Sequence, residues 1–202
     1  MKGINIAVSS SYNWEDFFNC PDLDNPGIYI WSILYNDSQL IFYIGMTKNL
    51  RNRTNQHLKS YNNGLYQVFD PDYFSKGIKK HIWIGRWRYD SALKNKDIDR
   101  ETFNAAIEDY ELNKEFHKQE RINFLDTMNL YFFPLAESER TLKRIETALA
   151  LNICYKGGVG IDFQEPVTVG SYFRELKRDF EEPLALTIKN NIFFNLDSEI
   201  EA

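Results

Sequence analysis

Two apolar runs dominate the first quarter of the chain. Residues 27–35 read Gly-Ile-Tyr-Ile-Trp-Ser-Ile-Leu-Tyr and residues 39–44 read Gln-Leu-Ile-Phe-Tyr-Ile. Runs of β-branched and aromatic residues bounded by turn formers predict strands. Asn36, Asp37 and Ser38 separate them, so an antiparallel hairpin is expected. Side chains alternate along each strand, so the connection length decides which residues share a face. An odd loop over Asn36–Ser38 puts Tyr29 and Tyr43 on one face. A two-residue turn puts them on opposite faces.

Helical periodicity begins at Asn49, a candidate cap, and runs to about Ser60 with Leu50 and Leu58 available to a core. Residues 62–74 mix turn formers with aromatics. His81 to Tyr89, with Ile82, Trp83, Ile84 and Trp87, predicts a strand. One long polar helix is expected from about Asp99 to Leu125, then a strand over Asn129–Leu135. Ser138 to Leu151 places Leu142, Ile145, Leu149 and Asn152 along one line of a helix, with Glu146 at its border. Gly157, Gly158 and Gly160 predict a turn. A helix around Tyr172–Phe180 and an apolar element around Leu184–Leu196 complete the chain. The fold class is α/β of the α+β kind: a small mixed or antiparallel central sheet flanked by helices. Residues 1–25 are expected to be an N-terminal extension and 26–165 the main domain, with an insertion at about 62–128. Residues 166–202 are expected as a C-terminal extension packed on it.

A chain of 202 residues, 43% hydrophobic and 15% aromatic, can bury a sizeable core. No apolar run is long enough for a membrane span, and Met1–Ser10 lacks the length and flanks of a signal peptide. Cys20 and Cys154 suit neither a close-spaced zinc site nor a disulfide framework, so a reducing cytoplasm is the expected location. A net charge of −5 argues against nucleic-acid binding by overall charge alone. Basic residues nevertheless concentrate between Thr47 and Asp90. Lys48, Arg51, Arg86 and Arg88 are candidate substrate contacts, whereas Trp83 and Trp87 fit core positions better than stacking platforms.

Arg53 and His57 lie four residues apart, so one helix presents both in the same direction. Arginine offers a fixed fork of donors to phosphate oxygens, and histidine can hold an oxygen or move a proton near neutral pH. Tyr29 and Tyr43 suit strand packing, and a free phenol is a poor base unless nearby cations favour phenolate. Glu146 is a single carboxylate, with Glu139 as the rival ligand. Mg²⁺ retains waters, so one carboxylate and substrate oxygens suffice to hold it.

In order and separation, Gly27-Ile28-Tyr29, Tyr43-Ile44-Gly45, Thr47, Leu50, Arg53, His57 and the later Arg144-Ile145-Glu146-Thr147-Ala148-Leu149 resemble the GIY-YIG nuclease superfamily. The resemblance implies a Mg²⁺-dependent DNA endonuclease, with Mn²⁺ as a substitute, leaving 5′-phosphate and 3′-hydroxyl ends. It implies Tyr29 as general base, Tyr43 as hydroxyl donor, Arg53 and His57 at the phosphate, and Glu146 at the metal. Many members carry an asparagine somewhat beyond the glutamate's helix. Here Asn152 follows by only six residues, which fits a helix-end cap. Two alternatives stand beside DNA cleavage. One is a structured-RNA nuclease; the other is a catalytically silent nucleic-acid-binding or protein-interaction module. No membrane partner is implied.

Overall fold

The computed structural model describes residues 1–8, 10–14, 16–156 and 180–201. The expected turn at Gly157–Gly160 lies outside these residues, as does nearly all of the expected 172–180 helix. The chain divides into two compact units, Met1–Arg51 with Met128–Ala202, and Asn52–Thr127.

The first unit contains a three-stranded antiparallel sheet in the order β3-β2-β6, formed by β2 (Gly27–Tyr35), β3 (Ser38–Thr47) and β6 (Met128–Pro134). A mixed three-stranded sheet accompanies it. There β1 (Lys2–Ala7) runs parallel to β7 (Leu184–Lys189), and β7 pairs antiparallel with β8 (Glu199–Glu201). α6 (Glu139–Lys156) packs Leu142, Ile145, Ala148 and Leu149 into one core with Ile28, Ile30 and Ile44. This is the expected sheet-and-helix class, extended by a parallel strand pair from opposite ends of the sequence.

The β2–β3 connection is a two-residue turn, with Asn36 and Asp37 at φ 47° and 60°. Two left-handed central residues match the right-handed twist of paired strands. By the parity argument this turn should send Tyr29 and Tyr43 to opposite faces. A β-bulge reverses that outcome. Pairing runs from Tyr35↔Ser38 to Ser32↔Ile41 and resumes at Trp31↔Tyr43, leaving Phe42 without a partner. The extra residue shifts parity by one, so Tyr29, Trp31, Tyr43 and Gly45 share a face.

The second unit departs further from the expected elements. It holds the short strands β4 (Val68–Phe69) and β5 (His81–Trp83) and the short helix α2 (Pro71–Phe74). The expected strand over 81–89 ends at Trp83, and α3 (Arg86–Asn95) follows. Gly85, at φ 88°, makes the break, and a Cβ there would meet the backbone of residues 65–67 at under 3 Å. Arg86 N–H then donates to Gly64 O at 2.9 Å, so contacts far along the chain override local aromatic propensity. The expected long helix is two, α4 (Arg100–Leu112) and α5 (Lys114–Asp126), broken at Asn113. Phe103, Tyr110 and Phe124 are buried, but Phe116 is 56% exposed.

The division between the units falls within α1 (Leu50–Asn62), after Arg51. Its buried stripe is Leu50, Thr54, His57 and Tyr61, while Leu58 is only half-buried. The side chain of Asn49, the expected cap, donates to Asp24 at 3.1 Å. Thr47 also organises the helix entry: its hydroxyl donates to Asn49 O at 2.8 Å. Arg51 N–H donates to Leu23 O at 2.8 Å.

Candidate active site

Tyr29 and Tyr43 come together in the first unit. Their hydroxyl oxygens are 3.4 Å apart and their ring centroids 5.8 Å. That spacing is long for an O–H···O bond, so both phenols can address a common oxygen from a water or a phosphate. Tyr29 is 1% exposed. Tyr43 is half-buried and lies 4.9 Å, ring to ring, from Trp31. Trp31 in turn packs against Trp14, so the tyrosine pair stands on a fixed aromatic floor.

The two motif glycines are steric necessities. A Cβ on Gly27 would lie 2.2 Å from Phe133 O, on the neighbouring strand. Gly45 pairs directly with Tyr29, and a Cβ there would lie 2.3 Å from both Cζ and the hydroxyl oxygen of that ring. The role of Gly45 is to leave room for the phenol of Tyr29 to cross β3.

Glu146 reaches the next residue of the same strand. Its Oε1 accepts the Met46 N–H at 3.1 Å, and the side chain is half-buried. The Met46 N–H bonds outside its sheet, in which β3 is an edge strand. Tyr29 therefore crosses Gly45 while Glu146 is tied to the following peptide group. With the 2.3 Å and 3.1 Å contacts fixed, backbone dimensions hold the Tyr29 hydroxyl and Glu146 Oε1 to a separation of no more than about 9 Å.

Glu139 has a different environment. It is ion-paired to Lys48 at 2.6 Å and to Lys143 at 3.5 Å, and the Lys48 hydrogen bond holds its carboxyl below the usual range. Lys48, a candidate substrate contact, is thus engaged on the protein surface. Arg51 forks onto both carboxylate oxygens of Asp24 at 3.2 Å. Asn152 is not a helix end, because α6 continues to Lys156. Its amide donates to Asp197 Oδ2 at 2.8 Å and its carbonyl oxygen accepts Asp197 N–H at 2.9 Å. That pair clasps the C-terminal segment to α6.

Arg53 and His57 belong to the second unit. The guanidinium of Arg53 donates to Gln56 Oε1 at 3.2 Å. His57 is 2% exposed and packs against Tyr66 at 5.8 Å. Burial, reinforced by the nearby Arg53 charge, pushes its pKa down to about 3. At neutral pH it is therefore a neutral imidazole, able to orient a partner but poorly suited to carrying a proton. Arg86 is exposed and Arg88 half-buried, both in the first turn of α3.

Among the described residues no cluster of three or more His, Cys, Asp or Glu side chains is placed to hold a metal ion. Any cation here would rest on Glu146, waters and substrate oxygens. A hard, half-buried carboxylate oriented by a backbone N–H fits that sparse mode, which is characteristic of Mg²⁺. Also among the described residues, no helix is long and apolar enough to cross a membrane.

Residues 25–103 match the family described as the GIY-YIG catalytic domain. The match includes Tyr29, Tyr43, Arg53 and His57, runs on through much of the Asn52–Thr127 unit, and stops before Glu146. No curated protein and no solved structure matches the chain.

Proposed function

We propose that this chain, a member of the GIY-YIG nuclease superfamily through residues 25–103, is a metal-dependent DNA endonuclease leaving 5′-phosphate and 3′-hydroxyl ends. The supporting observation is the run of contacts from Tyr43 to Tyr29, across Gly45, and from Met46 to Glu146. It links the two phenols and the carboxylate through neighbouring residues of one edge strand.

Glu146 would hold Mg²⁺ or Mn²⁺, which when bound polarises a phosphate oxygen and stabilises charge on the leaving 3′ oxygen. Tyr29, deprotonated to phenolate beside a bound cation, would accept a proton from the attacking water at its oxygen and return to the neutral phenol. Tyr43, 3.4 Å away, donates to a non-bridging phosphate oxygen. Arg53 supplies fixed donors for charge that grows during transfer. His57, neutral in its buried setting, orients rather than titrates. Positioning and preorganised charge carry the acceleration.

Cleavage of duplex, branched and single-stranded DNA and of structured RNA, with Mg²⁺, Mn²⁺ or EDTA, tests this reading. Glu146→Gln keeps an acceptor for Met46 N–H, so it is expected to fold while losing about 100-fold or more in cleavage. Undiminished Mg²⁺-dependent cleavage by that variant would reject the metal assignment. Binding without cutting under every condition would favour the silent-module reading, and cleavage confined to RNA would change the substrate.

A further inference from the structure

The Asn52–Thr127 unit contains a cavity of about 400 Å³ that the chemistry above leaves unused. Its lining includes Ile84, Trp87, Arg88, Asn95, Asp97 and Ile98. α3, which forms one wall, has no buried residue along its whole length. Trp87 is accordingly half-buried, whereas Trp83 is 5% exposed and donates its indole N–H to Gly64 O at 2.6 Å. One tryptophan serves the core and the other faces the cavity.

The segment that ends α3 contributes Asp97 and Ile98 to the lining. Lys96 takes a left-handed φ of 66°, its N–H donates to Leu93 O at 3.2 Å, and Asp97 N–H returns to Ala92 O at 2.8 Å. This is a Schellman ending made without glycine, at some conformational cost. It folds Asp97 and Ile98 back along the helix to close the cavity. The chain leading into α3 is strongly basic. Residues 73–89 contain Lys76, Lys79, Lys80, Arg86 and Arg88 and no Asp or Glu. Burial lowers the pKa of His81, and the charges of Arg88 and Lys79 lower it further. Lys80 is ion-paired to Asp70 at 3.0 Å. The first N–H groups of α3 are bonded to Gly64 O and Leu65 O, which leaves the cavity and its side chains, rather than the helix end, as the recognition element.

We infer that this cavity receives one unpaired nucleobase, stacked against Trp87 and hydrogen-bonded at its edge by Asn95 and Asp97, with Arg86 and Arg88 on the flanking phosphates. A volume of about 400 Å³ accommodates a single base with its sugar. Selectivity follows: flapped, branched or single-stranded DNA is preferred over uninterrupted duplex. The ligand class rests on the nuclease reading, but binding alone tests the site.

Full-length protein in EDTA would be titrated with oligonucleotides carrying 2-aminopurine in a 5′ flap, a single strand or a continuous duplex. Flap and single strand are expected to bind at least about fivefold tighter than duplex, with fluorescence changes reporting insertion against the indole. Trp87→Ala and the cavity-filling Ser91→Trp abolish the preference, Trp87→Phe retains most of it, and duplex affinity stays unchanged in all three. Equal affinity for the three forms, absence of binding, or a preference surviving both Trp87→Ala and Ser91→Trp would overturn the inference. Insertion without cleavage on adding Mg²⁺ upholds the cavity and defeats the nuclease reading. Cleavage without preference does the reverse.

Discussion

Tyr29 and Gly45 face each other across β2 and β3, and the phenol occupies the space that any side chain at position 45 would need. The glycine and the tyrosine of the two motifs are therefore one steric unit. Gly45→Ala is expected to drive the Tyr29 ring out of its buried position, destabilising the fold by about 1–3 kcal/mol. Cleavage should fall more steeply than stability, because the displaced group is the proposed base. Urea unfolding alongside single-turnover cleavage measures both; normal activity in a stable Gly45→Ala protein would contradict this packing.

Phe42 is the unpaired residue of the bulge between β2 and β3. Deleting it straightens the bulge but leaves Tyr43 opposite Trp31 and Gly45 opposite Tyr29, so the two phenols keep a shared face. The Phe42 deletion is therefore expected to retain measurable cleavage, as is Phe42→Leu, which keeps the bulged count. Background cleavage by a folded deletion variant would show that the bulge, and not the shared face alone, positions the pair.

His57 links folding to pH. Its folded pKa of about 3 lies below the ordinary 6.5, so between these values the unfolded chain binds more protons at this site than the folded one. Stability from this group is full above pH 6.5 and falls as pH drops toward 3, by up to about 1.4 kcal/mol per pH unit. His81 and His117 are lowered in the same direction, as are several carboxylates, so the contribution of His57 is read as a difference. Urea unfolding from pH 5 to 7 should show a shallower pH slope for His57→Gln than for the unaltered protein. Parallel slopes would mean that His57 is not buried in its neutral form.

Asn152 is assigned an anchoring role. Asn152→Ala loses two hydrogen bonds to Asp197, at 2.8 and 2.9 Å, one of them charge-assisted, and is expected to cost about 1–2 kcal/mol. Cleavage per folded molecule should be little changed. A loss of 100-fold with stability intact would move Asn152 into the chemistry.

The elements that bear the proposed chemistry were largely legible along the chain. The hairpin, α1, β6 and α6 announce themselves through composition and periodicity, and the motif residues fall where those patterns place them. Elsewhere the same reasoning failed for identifiable causes. Ile82, Trp83, Ile84 and Trp87 look like one strand, yet Gly85 and the Arg86 N–H bond to Gly64 O turn half of that run into α3. Nothing local marks Asn113 as a break within helical sequence. His57, with a polar side chain on a polar helix, gave no sign that it would be almost wholly buried.

Residue order alone decided that two tyrosines would sit on paired strands and that an arginine and a histidine would follow four apart on one helix, because those relations depend on local periodicity. Only the tertiary structure decided that the tyrosines share a face, since that turns on a single unpaired residue, Phe42, in the register between strands. It also decided that Glu146, a hundred positions beyond Met46, would grip that residue's backbone. Contacts across such distances arise from packing a helix against a sheet edge, and no local pattern encodes them.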